Sequence, residues 1–208
     1  PDGNAISMRS GERPEIGMII QELANPFNAE VVSGVSDSLE KHGYFVSVLD
    51  SRNDIERQKR NIEAFIRSAR GGLIWVPAHN TPSKTVEILR NYRIPTITFL
   101  RQIKGADFDH VGIKNLEGTE IATDYLIGLG HTKIAYFGGD TNSDVRKARV
   151  QGYELSLKKN DISWRVIWSS DDTKRSGVER FHDLLSEHPE VTALVCNGDM
   201  VALGACLA

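Results

Sequence analysis

Ile16-Gly17-Met18-Ile19-Ile20, then Asn25-Pro26-Phe27-Asn28, then Phe45-Val46-Ser47-Val48-Leu49 is the stretch whose reading decides the fold. The first and last runs are short and almost continuously apolar, as strands are when a sheet is covered on both faces. Between them Asn25 is placed to cap a helix and Pro26 to open it. Phe27, Val31, Val35 and Leu39 recur at every fourth position, and Gly43 stops the run. A strand, a short polar loop, a helix and another strand make one parallel βαβ unit.

The unit repeats along the chain. Asp54 can cap a helix whose apolar face is Ile55, Ile62, Phe65, Ile66 and Ala69; Gly72–Val76 is a strand; Thr81-Pro82 opens a helix with Val86, Leu89 and Tyr92 inward; Pro95–Phe99 is a strand. Asp109–Ile113 reads as a short strand, after which the pattern restarts. Leu116–Leu129 is a helix ended by Gly130, Lys133–Phe137 a strand, Lys147–Lys159 a helix, Arg165–Trp168 a strand, Thr173–Ser186 a helix and Thr192–Cys196 a strand. Asp199 stands before a last helix, as its cap or as a site residue. The expected fold class is therefore α/β, two doubly wound parallel-sheet lobes facing a cleft. The expected divisions are 1–13 as a linker, 14–110 as the N-terminal lobe and 111–208 as an unfinished C-terminal lobe, continued beyond Ala208 in the whole protein. Ligands of such sheets bind beyond the carboxyl ends of the strands.

Composition narrows the function classes. The 208 residues hold 40% hydrophobic and 25% charged residues, an ordinary globular balance. Lys and Arg total 25 against 28 Asp and Glu, so the net charge of -3 gives no sign of a polyanion-coating surface. No apolar run approaches the roughly 20 residues of a membrane span. Cys196 and Cys206 form neither a disulfide framework nor a metal-ligand spacing. The start of the chain carries no basic segment followed by an apolar one, so the expected compartment is the cytoplasm.

Chemical motifs for turnover are missing. There is no Gly-x-Gly-x-x-Gly, no Gly-x-x-x-x-Gly-Lys-Ser/Thr, no Gly-x-Ser-x-Gly and no His-Glu-x-x-His. Six histidines are scattered without metal spacing; His131, beside Gly130, is expected to help cap helix carbonyls. Asp50, Asp54, Asp140 and Asp199 fall on strand-end loops without an identifiable catalytic partner. The reading is binding without turnover, with no cofactor and no metal.

Several short segments carry a resemblance: Asn25-Pro-Phe-Asn-Ala-Glu30, Gly71-Gly-Leu-Ile, Ile94-Pro95, Val111-Gly112, Asn115 with Gly118, Leu129-Gly-His131, Ile134-Ala-Tyr-Phe-Gly-Gly139, Arg149 with Gly152-Tyr153, and Met200-Val-Ala-Leu-Gly-Ala205. In this order and spacing the chain resembles the core of LacI/GalR-type bacterial transcription regulators, a fold related to periplasmic binding proteins. The last strand and helix resemble those of maltose-type regulators.

The resemblance implies a homodimeric, DNA-binding regulator, usually a repressor, whose core senses a sugar or nucleobase. Here a sugar or phosphosugar is expected, and operator DNA is reached through an N-terminal head. It implies that Phe27 and Asn28, in the loop with Asn25, line the effector pocket; the alternative for Phe27 is a core side chain at a helix start. It implies that Arg149 holds effector oxygens, the alternative being a solvated helix arginine, and that Ser143 supplies a hydroxyl. Gly198-Asp199 stands where the family shows Asn-Asp. Residues 1–10 resemble the family's hinge, with Ser7 and Met8 at the DNA and Met8 as an apolar wedge between base steps; Ile6 departs from the family's usual Arg, and the alternative is a plain linker. Arg52, Arg101, Lys114 and Arg146 raise two readings. One is a cationic cleft suited to an acidic or phosphorylated sugar; the other is surface charge paired with Asp50, Asp107 and Asp109. The rival functions are a periplasmic sugar-binding protein of a transporter and, further off, an α/β sugar-phosphate enzyme.

Overall fold

The computed structural model describes residues 15–68 and 71–208. Ser7 and Met8 lie outside the described residues. The chain divides into two compact units, the first ending at Gly112 and the second starting at Ile113.

In the first unit β1 (Glu15–Ile20), β2 (Phe45–Asp50), β3 (Gly72–Trp75), β4 (Thr96–Phe99) and β5 (Asp109–Val111) form one sheet in the order β2-β1-β3-β4-β5. Every neighbouring pair is parallel; Ile16 pairs with Val46 on one side and Gly72 on the other. Helices α1 (Pro26–Glu40), α2 (Ile55–Arg67) and α3 (Ser83–Asn91) make the crossovers. The continuous apolar character of β1 follows from packing on both faces. Met18 and Ile20 pack with Val31, Val32 and Val35 of α1, while Ile19 packs with Ile62 and Phe65 of α2 and Leu89 of α3. Side chains of this size contribute about 1.5–3 kcal/mol each when fully buried.

The second unit repeats the design. Its strands β6 (Ile134–Phe137), β7 (Val166–Trp168) and β8 (Ala193–Cys196) are parallel in the order β7-β6-β8. Leu126 and Ile127 of α4 (Asn115–Gly128) and Tyr153 and Leu157 of α5 (Asp144–Lys159) cover one face. Leu184 of α6 (Lys174–Glu187) and Val201 of α7 (Asp199–Leu207) cover the other. No helix of the described residues is long and apolar enough to cross a membrane.

Four local expectations are corrected. Helix α5 begins at Asp144, a turn before Lys147, because the Ser143 hydroxyl accepts from the Arg146 amide and caps it. Tyr92 is 62% exposed: α3 ends at Asn91, so Tyr92 leaves the helical period that holds Val86 and Leu89 inward. Asp199 is the first residue of α7, and Gly198, which offers no side chain, is the cap residue. The His131 ring bonds the Thr192 hydroxyl at 2.9 Å, while its backbone amide, not its ring, reaches the Leu126 carbonyl at the helix end.

Candidate functional site

In the first unit, polar side chains gather at the carboxyl ends of the strands. Asn25 caps α1, its Oδ1 accepting from the Phe27 amide at 3.1 Å. Asn28 is buried, and its Nδ2 donates to the Glu22 carbonyl at 2.8 Å, so it braces the loop that leads into the helix. Phe27, between them in this turn, is 38% exposed and lies outside the core clusters, presenting an apolar ring at the rim.

The loops after β2, β3 and β4 are tied together by two amide side chains. Asn53 Oδ1 accepts from the Arg101 guanidinium at 2.6 Å and from the His79 amide at 3.0 Å; Arg101 also donates to the Pro77 carbonyl. Gln58 is wholly buried, its Oε1 accepting from Trp75 Nε1 at 3.0 Å and from the Ala78 amide at 2.7 Å. Arg52, Asn53 and Leu100 have left-handed backbone conformations, with φ of 50, 55 and 59°. Such angles are uncommon outside glycine and cluster at functional loops. Arg52 is largely exposed, with Nε 3.8 Å from Asp50.

In the second unit the loop after β6 carries Gly138 and Gly139, both at positive φ. A Cβ on Gly139 would lie 2.6 Å from Asn197 Oδ1 and 2.7 Å from Arg146 Cδ, so glycine is what admits those two side chains. Asn197, at the end of β8, is 5% exposed; its Oδ1 accepts from the Tyr136 hydroxyl at 2.7 Å and its Nδ2 donates to Asp172 at 2.5 Å. Arg149 donates to Asn115 Oδ1 at 2.8 Å and to the Asn197 carbonyl. Arg146 is buried, donating to the Gly138 carbonyl and lying 5.7 Å above the Tyr136 ring.

Burial pushes the Tyr136 hydroxyl far above the ordinary tyrosine value, so it acts here as a hydrogen-bond donor. Burial also pushes the Cys196 thiol up to about 12, which keeps it an unreactive thiol.

Of the residues singled out from the sequence, the structure gathers Asn25, Phe27, Asn28, Arg52 and Arg101 at one end of the first sheet; Phe27 and Asn28 stand in the first turn of α1 rather than in the loop before it, because Asn25 already caps the helix. It places Ser143, Arg149 and Asp199 in the corresponding region of the second unit. Ser143 is 8% exposed and occupied as a helix cap; Asp199 is exposed; Lys114 is exposed and ion-paired with Glu117 at 3.0 Å. Asn53, Gln58, Tyr136, Asp172 and Asn197 are not among the residues that sequence reasoning reached. For Asn197 the available signal is its place immediately after an apolar strand, one residue before Gly198. Among the described residues no cluster of His, Cys, Asp or Glu could hold a metal ion.

Each of the two units of parallel α/β structure gathers polar side chains at the carboxyl ends of its strands, the end at which open α/β sheets bind ligands. Residues 13–208 match the family of periplasmic binding proteins and the sugar binding domain of the LacI family, and the chain belongs to that family. It is 29% identical over 203 residues to the maltose regulon regulatory protein MalI of Escherichia coli K12, covering 97% of this chain and 59% of that protein. It is 28% identical over 209 residues to the E. coli K12 ribose operon repressor, covering 98% of this chain and 62% of that one. The chain thus spans about three fifths of the length of the curated relatives it matches.

Among solved structures, the Cra transcriptional dual regulator of Pseudomonas putida in complex with fructose 1-phosphate superposes with a TM-score of 0.86 at 17% identity, over 94% of this chain and 73% of that one. The transcription regulator CcpA of Lactococcus lactis superposes with a TM-score of 0.84 at 23% identity, over 95% and 72%. At these identities the likeness is one of fold.

Proposed function

We propose that this chain is the effector-sensing and dimerisation core of a cytoplasmic, DNA-binding transcription regulator of carbohydrate metabolism, most simply a repressor. It binds a sugar or phosphosugar at the polar carboxyl ends of its strands without turning it over. The observation that carries the reading is the pair of polar strand-end rims in a chain of this family. One rim holds Phe27 with Asn53 and Arg101; the other holds Arg149, Asn197 and Asp172.

Each residue type suits a polyol. Phe27 offers a flat apolar face, the arginines offer fixed donors, and amides and carboxylates accept from hydroxyls. Operator DNA is contacted by a head outside residues 13–208, joined through the segment containing Ser7 and Met8. Effector binding favours one arrangement of the units, and in a homodimer this alters the spacing of the two heads. The names of the curated relatives favour a regulator over a transporter's periplasmic binding protein, which the same family includes.

The test is a thermal-shift screen of the purified chain over neutral sugars and their phosphate esters. A binder raises the midpoint in proportion to the logarithm of its concentration above Kd. No shift with any sugar of either class overturns the reading.

A further inference from the structure

The loop from β3 to α3, residues 76–82, holds no glycine, and its first three residues, Val76, Pro77 and Ala78, are buried. Buried backbone groups cannot turn to water, so they need partners in the protein. Side chains at the start of α2 supply them. Gln58 Oε1 accepts from the Ala78 amide at 2.7 Å, and Asn53 Oδ1 accepts from the His79 amide at 3.0 Å. Gln58 Nε2 donates to the Thr81 hydroxyl at 3.1 Å, and that hydroxyl donates to the Ala78 carbonyl at 2.7 Å, which closes the loop on itself.

Gln58 stands where the helical period calls for an apolar side chain. It shares the inward stripe of α2 with Ile62 and Phe65 and is wholly buried. Burying an amide is unfavourable unless it is hydrogen-bonded. Its bonds all run to the end of β3: to Trp75 Nε1 at 3.0 Å, and to Ala78 and Thr81. An apolar side chain would fill the stripe, but would leave the Trp75 indole N–H and the Ala78 amide without this acceptor. The amide therefore serves the shape of the loop rather than the packing of the core. The same loop offers its Pro77 carbonyl to Arg101 at 3.2 Å, while Arg101 also reaches Asn53 at 2.6 Å. The course of the loop thus bears on where that guanidinium is held at the rim.

Resting on the sugar-sensor reading above, we propose that Gln58 is a positioning residue for the sugar-binding end of the first unit. It touches no sugar. It acts through residues 76–82, whose fixed course sets the Pro77 carbonyl and, with Asn53, Arg101. Groups held in place beforehand meet a ligand without first being ordered, and that ordering otherwise subtracts from affinity.

The experiment is calorimetry on the whole chain with maltose, glucose, ribose and fructose, and with glucose 6-phosphate, ribose 5-phosphate and fructose 1-phosphate. Gln58→Met keeps the volume of the side chain and removes its acceptor. It is expected to weaken the ligand that the parent protein binds about tenfold or more. Ile62→Val and Ile62→Ala lower stability from the same helix stripe without touching the loop, and bracket the unfolding midpoint of Gln58→Met. Both should bind that ligand within about twofold of the parent. Thr81→Val, at a half-buried position, removes the hydroxyl that Gln58 shares with Ala78 and should also weaken the ligand; it decides the matter where Gln58→Met does not fold.

An affinity that Gln58→Met leaves unchanged, or that falls equally in the Ile62 variants, overturns the inference and leaves the sugar reading standing. So does unchanged affinity in Thr81→Val where Gln58→Met does not fold. Silence of the parent protein towards all of these ligands overturns both.

Discussion

A methyl group added at Gly139 would meet Asn197 Oδ1 and Arg146 Cδ at under 3 Å, on a backbone whose φ is +81°. The left-handed conformation alone costs an L-residue roughly 1–2 kcal/mol, and the clash adds to it because both neighbours are held. Gly139→Ala is expected to lower unfolding stability by about 2 kcal/mol or more, measured by urea titration. Tyr136→Phe leaves the Asn197 amide oxygen without its donor in a buried setting, expected to cost about 1–3 kcal/mol. An unchanged urea midpoint for Tyr136→Phe would mean that the hydroxyl contributes nothing to holding Asn197. These are the contacts that residue-by-residue reading cannot reach. Tyr136 and Asn197 are 61 positions apart, and Asn197 and Asp172 are 25 apart. No local periodicity encodes such pairings. Asn25 and Asp54 are legible as caps because a cap is satisfied within three residues of itself.

Helix pairs are set by glycines as much as by apolar stripes. A Cβ on Gly152 of α5 would stand 2.1 Å from the Leu116 carbonyl oxygen of α4, and one on Gly204 of α7 would stand 2.3 Å from the Lys174 carbonyl oxygen of α6. In a free helix Gly→Ala gains about 1 kcal/mol. Here the helices must separate first, so Gly152→Ala is expected to destabilise the protein, and a stabilised variant in thermal unfolding would refute the close crossing. The α4–α5 pair also has an electrostatic clasp. Asp124 accepts from Lys159, Ser156 and Asn160 at 2.8, 2.6 and 3.1 Å. The Lys159 hydrogen bond first, then that of Ser156, holds its carboxyl below the ordinary aspartate value. A lowered folded-state pKa contributes stability above the unfolded value of about 3.9, and that stability is lost as pH falls through the folded one. The difference in midpoint between the parent protein and Asp124→Asn should therefore be greatest near neutrality and vanish in acid. At this scale the sequence is informative: every strand and helix of the described residues is anticipated in type and order, because apolar runs and caps are local. The start of α5 escapes it because Ser143 reads as a ligand-facing hydroxyl, although Ser followed by Asp is also a helix start.

For the whole molecule, the architecture supplies separate reporters. Trp75 is buried among Ile19, Ile62 and Leu89 in the first unit, and Trp164 and Trp168 pack against Ala135, Phe137 and Val201 in the second. Among the described residues each unit surrounds its own sheet with its own apolar clusters, so the two are expected to unfold at separate midpoints. A solute that binds both rims changes this thermodynamically. It stabilises only chains in which both units are folded, by RT ln(1 + [L]/Kd), and so penalises the state with one unit open. In the double variant Trp164→Phe, Trp168→Phe the fluorescence reports the first unit; in the parent protein all three indoles contribute. Without sugar, urea unfolding of the two proteins is expected to give different apparent midpoints, a departure from two-state behaviour. With a saturating sugar from the screen, the midpoints should rise and converge. Convergence would show that one ligand couples the units, which is the property a sensor needs in order to convert occupancy into a change of arrangement. A sugar that raises only one midpoint would place its whole site in a single unit.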